Sequence, residues 1–99
     1  MPDNKFKEKA ALPCVFDGEM KLGSSGICVR FLQIILDNFS GYFDNIFPTE
    51  SNGIYGRKTE SAVRNIQSAC GLSPTGVTDI RSWNMIVSLH NILFSIDIS

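Results

Sequence analysis

The sequence is poor in the groups that carry out chemistry. It holds one histidine, His90, in 99 residues. A cysteine nucleophile would need that imidazole as its base, and a third group to orient it. The three cysteines, Cys14, Cys28 and Cys70, stand far apart. No two Cys or His residues have metal-ligand spacing, and the carboxylates are too scattered to argue for an acid/base pair. The expectation is a protein that is not an enzyme and takes neither metal nor cofactor.

Other absences narrow the partners. Neither sign of charge forms a run, and net charge is −1, which argues against nucleic acid as a ligand. No segment is apolar for long enough to cross a bilayer, so the chain is not expected to be membrane-embedded. The opening MPDNKFKEKAALPC has scattered cations and no continuous apolar core behind them, so it does not read as a signal peptide. Taken as written, the chain reads as cytoplasmic. The odd cysteine count leaves at least one thiol unpaired and fits a reducing compartment better than a disulfide scaffold. Cys28 and Cys70 sit in apolar helical patterns and read as small buried hydrophobes.

What is present is one domain. Residues 1–13 are polar, alternate in charge and read as a flexible arm, with the domain over 14–99. The fold class is mainly α, a compact three-helix bundle. A first helix is predicted over about Ile27 to Asn38, where Val29, Leu32, Leu36 and Phe39 make an amphipathic stripe and Ser24 or Ser25 can cap the start. Tyr42 to Ser51 reads as a loop. A second helix runs from about Arg57 to Cys70, burying Ala62, Val63, Ile66 and Ala69, with Gly71 as its stop. Thr78 or Asp79 caps a third, which carries Ile80, Trp83, Ile86, Val87 and Leu89. Ile92, Phe94, Ile96 and Ile98 then alternate as in a half-buried strand, with Cys14-Val15-Phe16 as a possible β partner at the other terminus.

The first two helices echo one another. Val29-Arg30-Phe31-Leu32-Gln33 and Val63-Arg64-Asn65-Ile66-Gln67 share the pattern Val-Arg-x-aliphatic-Gln, 34 residues apart. Gly23-Ser24-Ser25-Gly26 precedes one copy and Gly53-Ile54-Tyr55-Gly56 the other. Two copies are too few for a solenoid and point to a closed pseudo-symmetric bundle.

With these residues in place, the chain resembles the small three-helix peptidoglycan-binding domain found beside cell-wall hydrolases and L,D-transpeptidases. The matching positions are Gly23, Gly26, Val29, Leu32, Gln33 and Leu36, then Gly53, Tyr55, Gly56, Thr59, Ala62, Val63, Ile66 and Gln67, then Gly71, Leu72, Gly76, Ser82 and Trp83. The resemblance covers about Met20 to Leu89. It departs at Asn52, where the family has an aspartate, at Ile66 for an aromatic, and at Ser82 for a threonine. The segment between the first helix and Asn52 is longer than usual by about five residues, within ordinary loop variation. The resemblance implies a non-catalytic module that docks on peptidoglycan or its stem peptides. It also implies a place in the cell envelope, if a signal or a parent protein is missing from the sequence as given.

The stretch Asn52-Gly53-Ile54-Tyr55-Gly56-Arg57-Lys58-Thr59 is the best candidate site. Tyr55 reads as a plug between helices whose hydroxyl reaches a wetter rim. Thr59 can bond backbone at the helix start. Arg57 and Lys58 oppose the helix dipole by a few tenths of a kcal/mol each, which makes sense where a ligand carboxylate binds. The alternative is two solvated cations beside Glu60. Arg30 and Arg64 occupy matching places in the two copies and would flank a groove, or simply face water. Gln33 and Gln67 read as structural, each bonding backbone across the repeat, and Trp83 as core rather than a sugar platform.

The first helix is apolar nearly all round. Phe31, Ile34 and Cys28 must therefore face the loop Tyr42–Phe47, the C-terminal tail or a second chain. This supports a second reading, a cytoplasmic protein-interaction module that reuses the fold, self-associating through Phe31 and Ile34.

Overall fold

A computed structural model describes residues 14–16 and 18–94; the arm at 1–13 and the end of the tail, 95–99, lie outside them. Three helices make up the fold: α1 (Ile27–Ser40), α2 (Arg57–Ala69) and α3 (Ile80–Phe94). The expected order and starts hold. No strand forms among the described residues; two isolated antiparallel bridges, Met20 with Thr78 and Ser25 with Ile54, take the place of a sheet.

α1 is the central element and packs on both α2 and α3. That is why its sequence is apolar nearly all round. Val29, Leu32, Ile35, Leu36 and Phe39 are buried from α1, Ala62, Val63 and Ile66 from α2, and Trp83 and Ile86 from α3. Met20, Ile46 and Tyr55 close the core from the connections.

The helix ends differ in detail from expectation. α1 begins at Gly26 with no side-chain cap; Ser24 instead accepts a bond from the Lys21 N–H through its hydroxyl at 3.0 Å. Asp79 caps α3 by accepting the Ser82 N–H at 2.9 Å, and this bond holds its carboxyl below the usual range. α2 stops at Cys70 and Gly71, where the Leu72 N–H reaches back to the Gln67 carbonyl at 2.8 Å. Ala69 and Cys70 are exposed rather than buried, as is Ile80 at 52%. They fall on the outer faces because α2 and α3 each meet α1 along a narrow stripe.

The C-terminal strand does not form where it can be described. α3 continues through Phe94, whose ring lies 4.9 Å from His90 and 6.4 Å from Phe39. One further helical turn places Phe94 over that cluster, and packing overrides the alternating pattern. Ile96 and Ile98 lie outside the described residues. Cys14-Val15-Phe16 likewise pairs with no strand. It crosses α1 and α3, where Cys14 is disulfide-bonded to Cys28 and Phe16 stacks on Trp83 at 5.0 Å. Phe31 meets the same indole at 6.1 Å. The covering that Cys28 and Phe31 require is thus supplied by the N-terminal segment and α3. The reading of Cys28 as a plain buried hydrophobe is corrected: the even pair hidden in the odd count is Cys14 with Cys28, and Cys70 is left free.

The disulfide spans a sequence separation of 14 residues. A loop of that size is worth about 3 kcal/mol through the unfolded chain. Urea unfolding with and without reductant should differ by about that amount, and native protein should titrate one thiol, Cys70.

His90 is half-buried, and its Nε2 lies 2.9 Å from Asn38 Nδ2, which donates to it. Burial lowers its pKa from the ordinary 6.5. The folded state then binds fewer protons than the unfolded one just below that value. Stability is full above pH 6.5 and is lost as pH falls from there through the folded pKa. Urea midpoints at pH 8 and pH 5 should show this loss, and His90→Gln should flatten it.

Candidate functional site

Two buried glutamine side chains shape the turns that lead into α2 and α3. Gln33 of α1 accepts the Gly53 N–H through Oε1 at 2.8 Å and donates through Nε2 to the Ile54 carbonyl at 2.8 Å and to Thr59 Oγ1 at 3.0 Å. Gln67 of α2 repeats this one helix later. It accepts the Gly76 N–H at 3.0 Å and donates to the Val77 carbonyl and Ser82 Oγ, both at 2.9 Å. Both are fully buried and satisfied. The sequence echo is therefore a buried glutamine that brackets the glycine turn leading into the next helix, and the structural reading of both glutamines holds. Thr59 accepts a side chain rather than capping backbone, and Ser82 keeps the hydroxyl that this role needs.

Each bracketed turn requires glycine. Gly53 and Gly76 have φ of 82° and 81°, a region that side chains avoid. A Cβ at Gly76 would also lie 2.8 Å from Glu60 Cγ and 3.0 Å from Arg64 Nε. Asn52 closes the first turn, accepting the Ile54 N–H through Oδ1 at 3.0 Å, and Thr75 does the same for Val77 at 3.1 Å in the second. An aspartate oxygen would serve equally, so the departure at Asn52 keeps the acceptor, removes the charge and adds an NH₂ donor.

Around this turn the sequence-predicted residues separate. Asn52, Arg57 and Lys58 line one depression of about 310 Å³, together with Gln33, Glu50, Ile54 and Thr59. Lys58 Nζ pairs with Glu50 at 3.4 Å, both exposed. Arg57 has no ion-pair partner among the described residues. Arg30 lies on the other side of the turn, in a depression of about 450 Å³ shared with Asn52 and Gly53. Arg64 is elsewhere: it folds over Gly76, donates to the Pro74 carbonyl at 3.4 Å and pairs with Glu60 at 3.5 Å. It does not flank a groove with Arg30.

Tyr55 is the plug expected, but its hydroxyl reaches no rim. The residue is 1% exposed. Its hydroxyl donates to the Gly76 carbonyl at 2.7 Å and lies 3.0 Å from Thr78 Oγ1, and burial pushes its pKa up to about 12. Its ring is closed to any ligand from outside. Trp83 is buried and serves the core. Ile34 is 43% exposed and lines a shallow depression of α1 with Ile27, Arg30 and the half-buried Phe31.

A neighbouring depression of about 450 Å³ was not foreseen. Phe47, Pro48 and Thr49 wall one side, Ser61, Ala62 and Asn65 of α2 the other, and Lys58 is common to it and to the Arg57 depression. The available signal was an aromatic next to a proline in a connection longer than usual.

Thiol chemistry finds little support here. Cys14 and Cys28 are joined, and partial desolvation by its neighbours pushes the exposed Cys70 thiol up, away from the thiolate a nucleophile requires.

The family model described as a putative peptidoglycan binding domain matches residues 25–86, from the Ser25 bridge through the last buried residue of α3. The chain belongs to this family. Both glutamine brackets and the Asn52–Lys58 depression fall inside the match. Among solved structures, the SleB N-terminal domain is similar, with a TM-score of 0.67 and 25% identity over 78% of this chain and 99% of that one. No curated protein matches the sequence. The chain is a three-helix peptidoglycan-binding-family domain, and no helix among the described residues is long and apolar enough to cross a membrane.

Removing a bracket should cost more at the second turn. Gln67→Ala leaves the Gly76 N–H and Val77 carbonyl unpaired beneath Arg64, a loss of about 3 kcal/mol. Gln33→Ala should lose about half as much, since Gly53 is half-buried and Ile54 exposed, so water reaches the groups it leaves, whereas Gly76 is buried. Urea unfolding of the two variants checks the order.

Proposed function

We propose that this domain docks on peptidoglycan through the depression at the start of α2 and does no chemistry itself. A stem-peptide carboxylate is the group recognised. Arg57 carries the reading: it is exposed at the positive end of a helix without an anionic partner among the described residues, while the neighbouring Lys58 and Arg64 have theirs. The Asn52 amide, held by the turn, supplies donors beside it. Free N–H groups at the α2 start favour the same negative charge.

The place of action is the cell envelope. The Cys14–Cys28 bond supports this, because such bonds persist in oxidising surroundings. The competing reading, association through α1, is supported by exposed Ile27 and Ile34, but Phe31 is largely committed to Trp83.

Sedimentation with insoluble peptidoglycan tests the docking site. Wild type should pellet. Arg57→Ala should weaken retention about tenfold, the worth of a charge-assisted hydrogen bond, and Arg64→Ala should leave it unchanged. Wild type remaining in the supernatant would overturn wall binding, and an unaffected Arg57→Ala would overturn the carboxylate site.

A further inference from the structure

The connection between α1 and α2 is pinned along its length. Ile46 is 2% exposed and Thr49 8%. The Thr49 N–H donates to Asp37 Oδ1 at 2.6 Å and its hydroxyl to the same oxygen at 3.0 Å. Asn65 Nδ2 holds the Asn45 carbonyl at 2.8 Å. Between these anchors Phe47 stands out into solvent, 69% exposed. Pro48 restricts the residue before it to extended backbone, where successive side chains alternate in direction. With Ile46 turned inward, Phe47 is turned outward and has little freedom to fold away. A large apolar ring held in water by a fixed loop is a costly arrangement, and it gains when a ligand covers it.

We propose that the Phe47 depression is a sugar subsite, in which a pyranose ring of the glycan stacks on the Phe47 face. This rests on the wall-binding reading above and specifies its ligand as a glycopeptide rather than a bare peptide. A pyranose has an apolar C–H face and a polar rim, and the depression has the same division. Phe47, Pro48 and Ala62 are its apolar side, and Ser61, Lys58 and Asn65 are its polar one. Charge complementarity sets the direction of the ligand. Lys58 joins this depression to the Arg57 depression, so a molecule with a sugar at one end and a carboxylate at the other lies across both. A glycan strand bearing an acidic peptide has that layout.

Calorimetric titration with two soluble probes tests the subsite: a disaccharide-peptide released from peptidoglycan, and the same stem peptide without sugars. Wild type should bind the first about tenfold more tightly. Phe47→Ala should abolish that preference and leave peptide affinity unchanged, while Phe47→Trp should keep it. Because Phe47 is mostly exposed, thermal unfolding of both variants should match wild type. A preference that survives in Phe47→Ala, or that is absent in wild type, would overturn the sugar subsite. Arg57→Ala should weaken both probes equally. If it weakens neither while the Phe47 effect holds, the carboxylate site fails and the subsite stands. Wild type binding neither probe would overturn both.

Discussion

The architecture depends on a buried amide used twice. A primary amide has one acceptor oxygen and an NH₂ group, so it can satisfy both a backbone N–H and a backbone carbonyl. Gln33 and Gln67 each do this for a glycine turn and spend a remaining donor on a hydroxyl in the next helix. Each bracket fixes the helix that carries it relative to the start of the next. Leaving any of these groups unpaired in the interior would carry a desolvation cost, so the arrangement behaves as a unit. The remainder follows from it: the tight turns, the Tyr55 plug with its hydroxyl on the Gly76 carbonyl, and the depression outside the first turn.

A domain this small has little core to spare. It compensates by placing α1 in the middle, where opposite faces of one helix serve two interfaces. The N-terminal segment extends the economy. Its covalent link to Cys28 seats Phe16 on Trp83, where the two rings stack. The aromatic group formed by Phe39, His90 and Phe94 closes the opposite side.

Much of this was legible along the chain because the determinants are local. Helical stripes, the stop at Gly71 and the repeated Val-Arg-x-aliphatic-Gln all lie within short windows, and the same pattern carried the family resemblance. The misreadings involve partners distant in sequence. Nothing near Cys14 announces Cys28. Alternation at Ile92 and Phe94 looks like a strand until Phe39 is placed beneath it. Arg64 matches Arg30 in the repeat, yet Glu60 and Pro74 draw it over Gly76. Within the candidate site, Asn52, Arg57 and Lys58 line one depression because one turn joins them. The exposure of Phe47 is not legible along the chain because it is imposed by anchors on α1 and α2, which no local pattern records.

The bridge between Met20 and Thr78 bears on the order in which the chain closes. The Gln67 bracket joins groups 9 residues apart and the Gln33 bracket groups 20 apart, whereas Met20 and Thr78 come from opposite ends of the fold. Closing a longer loop forfeits more chain entropy, so the short brackets are the earlier gains. The segment leading into α1 then docks across turns that already exist, and it is the seam along which the domain first opens. Its strongest tie besides those backbone bonds is covalent and sits at Cys14. A reducing environment therefore loosens the domain from that edge inward.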